Sequence, residues 1–229
     1  MEQKTQRRSK ASYESRRRQA SVIIVDDHPM IRMAAAITLE RSGMNVVAEA
    51  DNGVDAIQLT KQLTPDVMIL DIGIPNLDGL TVIKRTKALD NPPGILVLTS
   101  FDGDVYARRC HKAGASGFIN KSLDMSALVR GVQCIVDGYT FFPSSVTSEK
   151  YEQINDDEDV ADKLSNRELI VLQQLLKGMS NKEISDLMLL SNKTISTYKQ
   201  RIFEKLNVSN IIDLADVAKR HNLYDGMTK

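Results

Sequence analysis

Asp26 and Asp27 close the run "VIIVDD", Asp71 follows "VMIL", Thr99 ends "ILVLT", and Lys121 comes directly after "GFIN". In each case an apolar run stops on a residue able to do chemistry. Three carboxylates gathered in one place repel each other unless a cation offsets their charge. A hard divalent ion, Mg²⁺, suits such a site because it prefers carboxylate oxygens and retained waters. The lysine adds a further positive charge. A lone aspartate after a strand is ordinarily a helix cap or a solvated turn residue. Here five such residues stand at successive strand ends, and it is the joint pattern that points to a site.

The elements that must position them can be read from the spacing. Short runs rich in Val, Ile and Leu occur at 22–25, 46–50, 67–70, 95–98 and 117–119, separated by stretches of helical periodicity. Turn signals "DNG", "LTPD" and "NPPG" fall between them. The pattern predicts five βα units, and strands apolar throughout belong to a parallel sheet covered by helices on both faces. The expected fold is α/β, doubly wound and flavodoxin-like. Ligands of such sheets bind in the crevice beyond the carboxyl ends of the strands, where all five residues would lie.

The 229 residues carry no net charge, but the charge is unevenly spread. Residues 1–20 hold seven Lys/Arg against two Glu, and residues 144–163 hold seven acids against two Lys. Stretches this polar cannot bury enough apolar surface to offset their ordering entropy. The expected division is a basic tail at 1–20, an α/β domain at 21–143, an acidic linker at 144–163 and a second domain at 164–229. No apolar run approaches the length of a membrane span, and no apolar N-terminal stretch resembles a signal peptide, so the expected location is cytoplasmic, with no direct membrane insertion. Cys110 and Cys134 are isolated in the sequence and read as reduced packing residues.

The second domain shows helical periodicity throughout, broken at "KGMSN", "LLSN" and "NVSN". Four helices are predicted, capped at Ser165 or Asn166, Ser180 or Asn181, Ser191 or Asn192, and Ser209 or Asn210. The second and third form a helix-turn-helix. In the third, Ile195, Ile202, Phe203 and Leu206 make an apolar stripe, and another face carries Lys193, Ser196, Thr197, Lys199, Gln200 and Arg201. Lysine and arginine can neutralise phosphates, while Ser, Thr and Gln can reach base edges in a major groove.

These residues carry a family resemblance. "VIIVDDHP", "VMILDIGIPNLDGL", "ILVLTS" and "AGASGFINK" resemble the receiver domain of two-component response regulators. "LSNRE", "GMSNKEI" and "NKTISTYKQRIFEKL" resemble the LuxR-type DNA-binding domain of the NarL/FixJ family. Blocks such as "GYTFFPSS" and "LSNKTISTYK" look similar to the virulence-type regulators BvgA and EvgA. The resemblance implies that Asp71 is phosphorylated by a sensor histidine kinase or its phosphotransfer domain, and that Asp26, Asp27, Asp71 and the Gly73 carbonyl hold Mg²⁺. It also implies that Lys121 and Thr99 contact the phosphoryl group and that Phe118 switches with Thr99. Ser196, Thr197 and Gln200 would contact bases; Lys193, Lys199 and Arg201 would contact phosphates, with Thr194 on the same DNA-facing surface. A homodimer on promoter sites, with RNA polymerase as a further partner, would complete the expected regulator. Ser122 stands where the family often has proline after its lysine, which argues against the usual cis peptide.

Two rivals are separable. A phosphorylation-independent receiver, serving only as a protein-binding module beside the DNA-binding domain, would bind DNA without taking up phosphate. A phosphohydrolase of the haloacid dehalogenase type would turn over phosphate esters, but those enzymes place a D-x-D pair, nucleophile included, after the first strand, whereas this chain has adjacent aspartates there.

Overall fold

The computed structural model describes residues 19–75, 77–101, 104–123, 125–147, 160–221 and 223. The expected basic tail lies outside them except for its last two residues, as does the middle of the acidic linker. Five strands, β1 (Ser21–Val25), β2 (Asn45–Ala50), β3 (Val67–Leu70), β4 (Gly94–Thr99) and β5 (Gly117–Asn120), form one parallel sheet in the order β2-β1-β3-β4-β5. Five helices alternate with them: α1 (Pro29–Arg41), α2 (Gly53–Leu63), α3 (Gly79–Lys87), α4 (Asp104–Lys112) and α5 (Ser126–Val136). Residues 22–25 of β1 and all four of β3 are 1% exposed or less. Helices therefore cover both faces, and the strands read as continuous apolar runs rather than alternating ones. One core layer gathers around Ile23, Met68 and Ile95, the other around Ile24, Ile69 and Leu96. Each such side chain contributes about 1.5–3 kcal/mol on burial.

The chain leaves β1 for β2 on one side and then crosses back to β3 on the other. The strand order thus reverses between β1 and β3, which opens a crevice at their carboxyl ends. Two close approaches shape its surroundings. A Cβ on Gly79, at the start of α3, would lie 2.5 Å from the Ile72 Cα, so only glycine lets the helix sit against the loop that follows Asp71. At the outer edge of the sheet the Phe118 N–H donates to the Phe141 carbonyl at 2.8 Å, and the Phe141 N–H to the Ser116 carbonyl at 2.9 Å. This extra pairing shields an edge that would otherwise be free to pair with other chains. No cis peptide occurs among the described residues. Cys110 and Cys134 are unpaired, and burial pushes the Cys110 thiol up to about 12.

After a short helix α6 (Ser144–Thr147), the description resumes with a 3₁₀ turn (Val160–Lys163) and four helices: α7 (Asn166–Leu176), α8 (Asn181–Met188), α9 (Asn192–Leu206) and α10 (Ile211–Arg220). Of the paired cap candidates the structure selects Ser165, Ser180, Ser191 and Asn210, whose side chains accept from free amides of the first turn. Glu168 and Glu183 reach back to complete two capping boxes. Leu169, Leu172, Ile184, Ile195, Ile202 and Leu214 form the apolar centre. Among the described residues no helix is long and apolar enough to cross a membrane.

Candidate functional site

Backbone hydrogen bonds that run on past the strand ends bring the chemistry together. The Asp71 N–H donates to the Val25 carbonyl at 2.8 Å, which places the loop after β3 beside Asp26. The Lys121 N–H donates to the Thr99 carbonyl at 2.7 Å, which joins the ends of β4 and β5. Lys121 then extends across the crevice, with Nζ 2.6 Å from both Asp71 Oδ2 and Asp26 Oδ2. Burial lowers the proton affinity of this ammonium, but the charges and hydrogen bonds of Asp71 and Asp26 outweigh that and hold it above the ordinary lysine value. Lys121 is therefore a fixed cation at neutral pH.

The acidic side is richer than one lysine can satisfy. Asp26 is 2% exposed and Asp71 4%. Asp26 Oδ2 is buried against the Lys121 ammonium it shares with Asp71, and the buried Asp27 Oδ1 has only the His28 ring, at 2.8 Å, beside it. The ligand atoms of Asp26, Asp27, His28 and Asp71 all lie within 4.8 Å of one another. Three carboxylates gathered this closely, with one ammonium among them, leave negative charge that a hard cation would offset, so the residues present fit Mg²⁺. Gly73, exposed in the same loop, donates its N–H to Asp71 Oδ1 at 3.0 Å.

Thr99 is fully buried, its hydroxyl oxygen accepting from the Phe101 N–H at 3.4 Å, and Phe118 is buried on the neighbouring strand. The structure thus brings Asp26, Asp27, Asp71, Thr99 and Lys121 to one edge. Two residues that the sequence reading missed belong to the same cleft. His28 Nδ1 faces both members of the acid pair, and Arg32 Nη1 donates to the Asp26 carbonyl at 2.7 Å while its Nε holds Glu49 at 3.2 Å. Their signal was present in "DDHPMIR", where both lie at the start of α1.

In the second domain α8 and α9, linked by a three-residue turn with Leu189 in the left-handed region at φ 51°, form the expected helix-turn-helix. Lys193, Ser196, Thr197, Gln200 and Arg201 are exposed on α9, while Thr194 and Lys199 are half-buried. Several are already engaged: Thr194 with the Ser191 cap, Thr197 Oγ1 with the Lys193 carbonyl, Gln200 Nε2 with Glu204, and Lys199 over the Phe203 ring at 5.6 Å. Asn181 Nδ2 donates to Ser196 Oγ at 3.2 Å and ties the two helices together. The inner side of α9 is anchored by Lys205, whose Nζ lies 2.7 Å from buried Glu168. Burial raises the Glu168 carboxyl, but hydrogen bonds from Lys205 and Ser165 outweigh it and hold the group below its ordinary range.

Known proteins match the chain along both domains. The profile of the response regulator receiver domain matches residues 22–133, and that of the bacterial regulatory proteins of the luxR family matches residues 162–218. The virulence-factor transcription regulator BvgA of Bordetella pertussis is 45% identical over 88% of this chain and 98% of its own length. The DNA-binding transcriptional activator EvgA of Escherichia coli K12 is 32% identical over 89% of this chain and 99% of its own. Among solved structures, the response regulator RcsB of Salmonella typhimurium aligns with a TM-score of 0.55 and 28% identity, covering 88% of this chain and all of RcsB.

Proposed function

The chain belongs to the response regulators that join a receiver to a LuxR-type DNA-binding domain, and from that premise we propose that it is a transcription regulator switched by phosphorylation of Asp71. The observation that carries the reading is the Lys121 ammonium, 2.6 Å from Asp71 and from Asp26 across a cleft of buried carboxylates. Asp71 attacks the phosphorus of a phosphohistidine on the partner kinase or phosphotransfer domain. An O–P bond forms as the N–P bond breaks, and the leaving imidazole nitrogen takes a proton from solvent. Lys121 neutralises charge on the transferred oxygens, and Thr99 supplies a hydroxyl once its bond to the Phe101 amide is released. Mg²⁺, held by Asp26, Asp27, Asp71 and the Gly73 carbonyl, would supply charge neutralisation for the incoming phosphoryl group.

The reading includes the division into tail 1–20, receiver 21–143, linker 144–163 and DNA-binding domain 164–229. It also includes a homodimer on promoter DNA with α9 in the major groove: Ser196, Thr197 and Gln200 toward bases, Lys193, Lys199 and Arg201 toward the backbone, and Thr194 on the same DNA-facing surface. The exposure of most of these residues on one surface of α9 supports it, and the structure of two RcsB dimers bound to two parallel DNAs supplies a precedent in a relative. RNA polymerase is the partner through which such a dimer would act, and the cytoplasm is where such a regulator would work.

The test is incubation with a small acyl-phosphate donor and Mg²⁺, read by intact mass on the wild type and Asp71→Asn, with DNA binding measured in parallel. One phosphoryl group gained by the wild type and lost in the variant, with tighter DNA binding, is the expected result. DNA binding without phosphoryl uptake would refute the switch and leave the protein-binding alternative.

A further inference from the structure

His28 occupies the N-cap of α1, yet its side chain caps nothing. Ser, Asp or Asn at such a position would normally accept from the free amides of the first turn. The imidazole turns the other way, back into the cleft. Its Nδ1 lies 3.2 Å from Asp26 Oδ1 and 2.8 Å from Asp27 Oδ1, and the His28 backbone N–H also donates to Asp26 Oδ1 at 2.9 Å. The two acids are not equally held. Asp26 is fixed by Lys121 at one oxygen, by the His28 backbone at the other, and by Arg32 at its carbonyl. Asp27 Oδ1 is buried, and the imidazole nitrogen, 2.8 Å away, is the polar group beside it.

We propose that His28 is a positioning residue for the cation site: its imidazole, set between Asp26 Oδ1 and Asp27 Oδ1, keeps the adjacent carboxylates gathered in the cleft, so that a divalent ion meets a preorganised pair. The inference rests on the reading that this acid cluster holds Mg²⁺. Two neighbouring carboxylates repel, and Asp27, with a side chain 28% exposed, has a route to solvent that Asp26, at 2%, lacks. A donor between them removes that route. Groups that orient first-shell ligands in this way typically change metal affinity by 10- to 100-fold when deleted. Because the imidazole is itself 66% exposed, the lower end applies. It acts through the carboxylates and needs no contact with the ion.

The experiment uses the full-length chain and the metal alone. Mg²⁺ binding is followed by calorimetry, and Mn²⁺ binding by loss of the free-ion electron paramagnetic resonance signal. His28→Phe keeps a ring and removes both nitrogens; His28→Asn places an amide N–H near the position of Nδ1. His28→Phe is expected to bind both ions about tenfold more weakly, and His28→Asn to stay within about threefold of the wild type. Urea midpoints in EDTA should be the same for the wild type and His28→Phe, and the same or higher for His28→Asn, whose amide oxygen can cap α1. Wild-type affinity in His28→Phe would overturn the proposal, as would an equal loss in both variants, which would assign the effect to the shape of the loop. Absence of binding by the wild type would overturn the cation reading itself, and the Asp27→Asn variant separates the cases, since it should lose the ion whatever His28 does.

Discussion

Lys121→Met removes the one ammonium that lies between Asp26 and Asp71 while keeping the volume and apolar stem of the side chain. Lys121, Asp26 and Asp71 have side-chain exposures of 7%, 2% and 6%. Breaking a buried ion pair by deleting one partner costs about 3–5 kcal/mol, because the remaining charge is left without compensation. The crevice is open at Asp27, whose side chain is 28% exposed, so water partly relieves the two carboxylates and the lower figure, about 3 kcal/mol, applies. With a urea slope of about 2 kcal/mol per molar, the midpoint of the N-terminal domain should fall by roughly 1.5 M in EDTA. Hydrogen exchange of peptides from β1 and β3, followed against urea, scores that domain alone. Lys61→Met, at an exposed position of α2, is the control and should change stability by less than about 0.5 kcal/mol. The folded lysine titrates above its ordinary value, so the stabilisation it gives is complete below that value and is lost only as the pH rises through the raised one. The deficit of Lys121→Met should therefore be undiminished at mildly alkaline pH. Excess Mg²⁺ should narrow it, because the ion then does for the carboxylates what the ammonium did, and the variant gains more from binding than the wild type. A Lys121→Met midpoint equal to that of Lys61→Met, or equal gains from Mg²⁺ in both proteins, would refute the electrostatic account of the cleft.

Gly79→Ala puts a Cβ 2.5 Å from the Ile72 backbone, so it should cost about 1–3 kcal/mol by urea unfolding and slow phosphoryl uptake from an acyl-phosphate donor by displacing the loop after Asp71. Lys205→Met should cost about 1–2 kcal/mol at neutral pH, a figure reduced because that lysine is 41% exposed. Since Glu168 titrates below its ordinary range, its contribution is present above that range and lost as the pH falls through the depressed value, so the stability curves of variant and wild type should converge in acid. Lys193→Ala should weaken binding to all DNA sequences alike and lower the salt slope of affinity by about one, whereas Gln200→Ala should cost about 1–3 kcal/mol on the cognate site and relax its specificity, both read by titration at several salt concentrations.

Strands covered on both faces announce themselves as continuous apolar runs, which is why β1, β3, β4 and β5 could be placed to within a residue, and why the acids at their ends could be assigned to one edge; β2, half-exposed at the rim of the sheet, is placed by its short Val-Val-Ala run. Asp26, Asp27, Asp71, Thr99 and Lys121 were legible because the parallel topology alone brings strand ends together. His28 was not, because a residue at a helix N-terminus is read by its capping habit, and only coordinates reveal that the imidazole turns away from the helix. Lys205 was equally silent: it shares a helix with the DNA-facing lysines, and its partner Glu168 is 37 residues away. No strand is expected after 119, whereas Phe141, near the end of the α/β domain, adds a last pairing to the sheet. In each case a single contact distant in sequence overrides a sound local expectation.

That last pairing also bears on the proposed switch. Phe118, on the strand beside Thr99, hydrogen-bonds through its own N–H to the Phe141 carbonyl. From there the next ring, Phe142, meets His111 of α4 edge-on at 5.0 Å, and Ser145 of α6 donates to Asp104 of α4 at 2.7 Å. Further along the same helix, Arg109 Nη2 donates to the Leu164 carbonyl at 2.7 Å, at the threshold of the second domain. The route from cleft to DNA-binding domain thus runs through β5, the segment after α5 and α4, without a gap. Contiguity alone does not couple two sites; an element with two arrangements of similar energy is needed. The junction carries polar groups that a second arrangement would satisfy. The Tyr106 hydroxyl, Arg109 Nη1 and both polar atoms of the Asn166 side chain are buried there without partners, and each unsatisfied group costs about 1–3 kcal/mol. A rearrangement of α4 that exposed or paired them would recover part of that energy, so this junction is where the proposed switch would find a second arrangement to select.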